Sequence, residues 1–151
     1  MAFRFLDPGR LVDGELELVL VRRDPGDDSW DWSPTYIFEM RHTIRGVRMG
    51  TISLRIGHTE NLEKYAGHIG YYVSPPYRGH RYAARSCRLL LPLAKQHGIN
   101  PVWITCNPDN LPSRRTCEIV GAVYVETVPV PRDHILYLQG DRYKCRYRVD
   151  L

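Results

Sequence analysis

No stretch of this sequence approaches the ~20 consecutive apolar residues that a membrane-spanning helix needs. The opening residues, MAFRFLDPGRLVDG, hold no apolar core of a secretory leader. No membrane partner is expected. There is no internal repeat and no low-complexity tract. None of the four cysteines, Cys87, Cys106, Cys117 and Cys145, stands in a CxxC pair, so no metal site is expected. They lie inside apolar or periodic segments, which suits reduced, buried thiols and makes the cytoplasm the expected location. Charge of one sign is not concentrated either. The net charge is +4 and the sequence pI is near 9.0, yet the arginines are scattered. The exception is Arg142, Lys144, Arg146 and Arg148, which alternation puts on one strand face. That cluster reads as a solvated face, with a polyanion such as a cofactor's phosphates as the alternative. No standard nucleic-acid motif accompanies it, and a nucleic-acid partner is not expected.

What is present fits one globular domain over residues 1–151, long enough to bury a core without staples. Glu15 to Arg22 reads as a strand, and Asp24 to Pro34 as a loop rich in Asp, Pro and Gly. Tyr36 to His42 and Val47 to Ile56 form a hairpin pattern turning at Arg45-Gly46. Gly57 to Tyr65 is polar and loop-like. His68 to Val73 is a short strand ended by Pro75-Pro76. Ala83, Cys87, Leu90, Leu91 and Ala94 then recur at helical spacing until Gly98, with Pro92 expected to kink the helix. Pro101 to Cys106 is a strand. Asn110 is an N-cap candidate for a helix that stops at Gly121. Tyr124 to Val128 and Tyr143 to Val149 close the chain. The βαβ unit in the second half predicts a parallel strand pair inside a mixed sheet flanked by helices.

The segment Val73-Ser74-Pro75-Pro76-Tyr77-Arg78-Gly79-His80-Arg81-Tyr82-Ala83 carries the chemistry. It is a strand ending in a basic loop that opens a helix. A helix N-terminus leaves backbone N–H groups without intrahelical partners, and its dipole adds positive potential. Basic side chains crowd the same turn, and such a mouth suits phosphate.

Arg78 and Ala83, preceded by Val73 and Pro75, together with a second block of Asn110, Ser113, Glu118 and Gly121, resemble the GNAT (GCN5-related N-acetyltransferase) superfamily. The similarity covers roughly Gly50 to Val128 and is nearest to an uncharacterised bacterial subgroup. The resemblance implies a mostly antiparallel central sheet with a splayed parallel strand pair, an α/β fold flanked by helices. It implies acetyl-CoA as donor, with Arg78, Gly79, His80, Arg81, Tyr82 and Ala83 at the pyrophosphate. Tyr72 and Val73 would lie along the pantetheine arm, and Asn110 and Ser113 near its reacting end. One family position differs: Arg81 stands where a glycine is usual, so its side chain must point away from the phosphates or add a charged contact.

The implied reaction is direct attack of an amine on the thioester, driven by holding two reactants together. The family's acid, a tyrosine seven residues after the Asn, is replaced by Cys117, with Tyr124 and Tyr82 as substitutes. His68 is the candidate base by its pKa class. Five residues separate it from Val73, so a bulge is required to put both on one face. Glu39 and Tyr71 are its rivals. Family members usually build an acceptor wall between the first two strands. Here only Asp24 to Thr35 is available, which implies an open site or one completed in a homodimer. Asp24, Asp27, Asp28 and Asp31 around Trp30 and Trp32 would, with Glu39, line a site for a small cationic amine. Two other readings stay open: a non-catalytic acyl-CoA sensor or scaffold of the same fold, and a basic nucleic-acid-binding module.

Overall fold

A computed structural model of the chain describes residues 3–27 and 32–151. Strands β1 (Leu11–Asp13), β2 (Leu16–Asp24), β3 (Thr35–His42), β4 (Arg48–Arg55) and β5 (Ile69–Val73) form one antiparallel sheet in chain order. A second antiparallel sheet holds β6 (Val102–Cys106), β8 (Tyr143–Val149) and β7 (Val123–Pro129), in that order. Helix α1 (Tyr82–Gln96) joins β5 to β6, α2 (Leu111–Val120) joins β6 to β7, and the four-residue α3 (Ile135–Leu138) precedes β8.

Alternation in the first sheet puts Leu18, Met40 and Gly50, then Leu20, Phe38 and Ile52, in register on the face that packs on α1. Phe38, Met40, Ile52, Leu54, Leu90, Ile104 and Cys87 are buried in a core that spans both sheets. Helix α1 presents Cys87, Leu90, Leu93 and Ala94 to that core, an i, i+3, i+6, i+7 stripe. It stays one helix past Pro92, which sits on its exposed side.

Three expectations need correction. The βαβ unit does not close one mixed sheet, because β5 and β6 share no ladder. His68, just before β5, reaches across: its amide donates to the Trp103 carbonyl at 2.7 Å and its ring accepts from the Trp103 amide at 2.9 Å. Gly57 to Tyr65 is not all loop: Asn61–Ala66 is a π-helical turn that buries Leu62 and Tyr65. The C-terminal basic cluster is not a free solvated stripe. Lys144 pairs with Asp141, Arg146 with Glu126 and Arg148 with Asp150, and the Arg146 guanidinium lies 4.0 Å from the Trp103 ring centroid. All four cysteines are buried and unpaired. Among the described residues, no helix is long and apolar enough to cross a membrane.

Candidate functional site: a splayed cleft between two sheets

Because β5 ends the first sheet and pairs only with β4, its other edge is unpaired. Antiparallel ladders alternate bonded and non-bonded pairs. Ladder bonds run from the Arg55 amide to the His68 carbonyl (2.7 Å) and from the Ser74 amide to the Met49 carbonyl (2.9 Å). The intervening register, Leu54–Ile69 through Gly50–Val73, has no shift. Gly70 and Tyr72 therefore bond β4, and the main chains of Tyr71 and Val73 turn toward the gap. Of Tyr72 and Val73, the residues expected along the pantetheine arm, Val73 turns its main chain toward the gap and Tyr72 turns its own toward β4. An unbroken register also removes the bulge that would have brought His68 and Val73 to one face.

Two cavities meet in the gap. One, of about 430 Å³, is lined by Tyr71, Tyr72, Val73, Arg78, Gly79, Arg81, Tyr82, Ala83, Asn110, Ser113 and part of α2. The other, of about 260 Å³, is lined by Arg55, Tyr65, Gly70, Tyr71, Thr105, Cys106, Asn107, Asn110, Ser113 and Lys144. Tyr71, Asn110 and Ser113 line both, so they mark the junction.

The first cavity ends at the basic loop. A 3₁₀ turn at Pro75–Tyr77 follows β5, and Arg78 folds back, its Nε donating to the Val73 carbonyl at 2.9 Å. Gly79 has φ +94° with open space where a Cβ would sit, so backbone conformation alone demands glycine there. Arg81 adopts φ 60°, ψ 27°, the left-handed region, directly before α1. The chain thus keeps a glycine-like backbone at this position, with Arg81 exposed and lining the first cavity. No side chain caps α1, which leaves its first-turn amides facing the loop. His80 stacks on Tyr82, with ring centroids 5.3 Å apart. Sequence reasoning missed what anchors the helix start. The Tyr82 hydroxyl donates to Glu15 (3.0 Å), and Arg85 bridges Asp13 and Glu15 at 2.8 and 2.6 Å. Arg85 holds the Glu15 carboxyl down to about 2.

At the junction, α2 begins with Pro112 in its first turn and Asn110 Oδ1 accepting from the Ser113 amide at 3.2 Å. That cap fixes Ser113, whose hydroxyl lies 2.7 Å from the Tyr71 hydroxyl. Burial, with Cys117 and Cys87 close by, pushes the Tyr71 pKa far up, so the phenol keeps its proton. Cys117 is fully buried one turn further along, 4.0 Å from the Tyr71 oxygen. A hydrogen bond with Cys106 and burial push its pKa up as well, and it lines neither cavity.

His68 is 1% exposed and has both ring nitrogens engaged. Nε2 donates to the Gly57 carbonyl (3.0 Å), and Nδ1 accepts from the Trp103 amide (2.9 Å). Burial lowers its pKa. The imidazole is a neutral pin at the point where β5 and β6 part. Glu39 faces the opposite side of the sheet from α1, paired with Arg41 at 2.5 Å. Trp32 is exposed and bridges Asp27 through the backbone. Neither Glu39 nor Trp32 lines either cavity. Trp30, Asp28 and Asp31 lie outside the described residues. The Tyr124 hydroxyl pairs with Thr127 and the residue is half exposed.

Residues 17–123 match the family model for an acetyltransferase (GNAT) domain. The chain belongs to the GNAT acetyltransferase family. Solved structures agree in fold. The microcin C7 self-immunity acetyltransferase MccE, in complex with acetyl-CoA and AMP, superposes with TM-score 0.60 at 19% identity, over 78% of this chain and 61% of that one. A provisional ribosomal-protein-serine acetyltransferase from Vibrio cholerae gives TM-score 0.68 at 14% identity, over 97% and 100%. The Salmonella typhimurium acetyltransferase that modifies the N-terminal serine of ribosomal protein L7/L12 gives TM-score 0.58 at 18%, over 78% and 64%. The chain therefore spans under two thirds of the length of several GNAT relatives of its fold. No curated protein sequence matches it significantly. The splayed β5 edge, the loop from Arg78 to Ala83 and the Asn110 cap all fall within the GNAT match.

Proposed function

We propose that this GNAT domain transfers an acetyl group from acetyl-CoA to a primary amine, with the donor in the 430 Å³ cavity and the amine entering through the 260 Å³ cavity. The observation that carries this reading is that the two cavities share Tyr71, Asn110 and Ser113. The uncapped α1 N-terminus and Gly79 suit a pyrophosphate. The open edge of β5 at Tyr71 and Val73, where Arg78 Nε already takes the Val73 carbonyl, suits an amide-bearing arm added as an extra strand. Bound there, the thioester supplies an activated acyl group, and no acyl-enzyme is needed.

The proton chemistry rests on the Tyr71–Ser113 hydroxyl pair. With its pKa raised, Tyr71 is a donor and not a base. Its hydroxyl, through Ser113 or directly, hydrogen-bonds the departing thiolate, and the proton that the attacking nitrogen sheds as the amide forms ends on that sulfur, so the products are the amide and the CoA thiol. This role replaces the one first given to Cys117. With His68 fully engaged and no carboxylate lining the acceptor cavity, the amine reaches the site already neutral, having lost its proton to solvent. The rate should therefore follow the unprotonated amine fraction upward with pH, without a histidine limb. The buried free thiols suit a cytoplasmic setting.

Release of CoA thiol in the presence of a panel of primary amines tests the assignment. Acetyl-dependent thiol release with at least one amine, reduced about a hundredfold by combined Tyr71→Phe and Ser113→Ala, is the expected result. Binding of acetyl-CoA with no transfer to any amine would leave a sensor instead.

A further inference from the structure

The acceptor cavity has a charge of its own. Arg55 ends β4, its guanidinium lines the cavity, and it makes no ion pair among the described residues. One nitrogen, Nη1, donates to the carbonyls of Ala66 and Gly67, both at 3.1 Å. Burial lowers its pKa, and no opposing carboxylate offsets that. No Asp or Glu lines the cavity. Its second cation, Lys144, is already paired with Asp141 at 3.1 Å. Gly70, beside Arg55, gives the guanidinium its room: a Cβ there would lie 2.7 Å from Arg55 Nη2. A largely buried, unpaired cation is costly unless something compensates it. Backbone carbonyls hold Nη1, while Nη2 lies beside Gly70, itself a lining residue of the cavity.

From this geometry we infer that the acceptor carries an anionic group, a carboxylate or phosphate on the same molecule as the amine, and that Arg55 binds it. The inference rests on the acetyltransferase reading above. It reverses the cationic acceptor read from the Asp24 to Trp32 loop, whose Trp32 lines neither cavity. A planar guanidinium offers paired donors that match either anion, and it stays charged across the working pH range. Holding the anion at Arg55 would orient the amine toward the Tyr71–Ser113 junction, which lines the same cavity. The competing role is purely structural, a clamp on the C-terminus of the Asn61–Ala66 turn.

Matched amines separate the two roles. The probes are 4-aminobutyrate against 4-aminobutanamide, for a carboxylate, and phosphoethanolamine against ethanolamine, for a phosphate. The parent should prefer the charged member of at least one pair by tenfold or more in kcat/KM, mainly through KM, and the preferred pair names the anion. Arg55→Gln should shrink that preference below about threefold, leave KM for acetyl-CoA unchanged, and spare the neutral amines. Arg55→Lys should restore part of it, which covers the case that the Gln variant folds poorly. Raised salt should weaken the parent's preference but not that of the Gln variant. Equal or better use of the neutral amines, no turnover of either anionic amine, or a preference that survives Arg55→Gln would overturn the inference while leaving the donor reading intact. Failure of acetyl-CoA to bind at all would remove the underlying reading instead.

Discussion

Replacing Arg81 by glycine should change stability and donor affinity in opposite directions. Arg81 holds φ 60°, ψ 27° before α1. A side chain in the left-handed region costs about 1–2 kcal/mol. Glycine removes that cost but loses roughly 0.5–1 kcal/mol more chain entropy on folding. The net gain is about 0.5–1 kcal/mol, or roughly 1–4 °C in melting temperature for a domain of this size. The guanidinium, however, is an exposed cation lining the donor cavity. Losing one screened, charge-assisted contact should weaken acetyl-CoA binding by about 1 kcal/mol, near fivefold. Thermal melts with and without acetyl-CoA read both effects. Arg81→Ala serves as the control: it keeps the strained backbone, so it should lose affinity without gaining stability. A drop in the ligand-free melting temperature of the glycine variant would refute the strain argument. A gain in acetyl-CoA affinity would show that the arginine obstructs the phosphates.

His68→Gln should destabilise by about 2 kcal/mol or more, since two buried hydrogen-bond partners lose their mate; chemical denaturation measures it. Because burial lowers the His68 pKa, stability is full above the free imidazole value of about 6.5 and falls as pH drops below it, and the variant should lose that slope in melts from pH 7.5 to 5. Glu15, held near 2 against a free value of about 4.3, adds stability above the free value that disappears as pH falls toward 2. Glu15→Gln should flatten that acid limb, and an unchanged limb would show the Arg85 bridge to be ineffective. Asn110→Ala removes the α2 cap, should cost about 1 kcal/mol, and should also lower kcat by loosening Ser113. Cys117→Ala should retain kcat, since the thiol is buried away from both cavities; a loss of turnover with normal folding would return the acid role to it.

The local signals in the sequence located most elements well. An apolar run, a hairpin pattern and a β-rich run ended by Pro75-Pro76 found β2 through β5, and Asn110 and Gly121 bracketed α2 as a cap and a left-handed stop (φ +93°). The loop from Arg78 to Ala83 was legible because proline, glycine and basic residues punctuate it. Sheet partition was not, because whether β5 and β6 join depends on cross-strand bonds that no local pattern records. The Asn61–Ala66 turn escaped because Leu62 and Tyr65 give too short an apolar stripe for any period. His68 looked catalytic by residue type; its partners at Gly57 and Trp103, 11 and 35 residues away, make it a pin. Tyr71 was weighed only as a base, since its raised pKa comes from burial against α1 and α2. Arg55 drew no attention because a lone cation at a strand end is usually solvated, and its burial arises only when the π turn packs beside it.

Calorimetric titration of the protein with acetyl-CoA, run beside Gly79→Glu, tests the central claim most directly. Gly79 sits at φ +94° in the donor cavity, so glutamate adds both backbone strain and a negative charge where the pyrophosphate is expected. The account predicts one site per chain with a dissociation constant at or below roughly 100 μM, about 5.5 kcal/mol or more of binding free energy. It also predicts loss of that binding in a folded Gly79→Glu variant. No binding to the parent at millimolar acetyl-CoA, or equal binding by the variant, would contradict it.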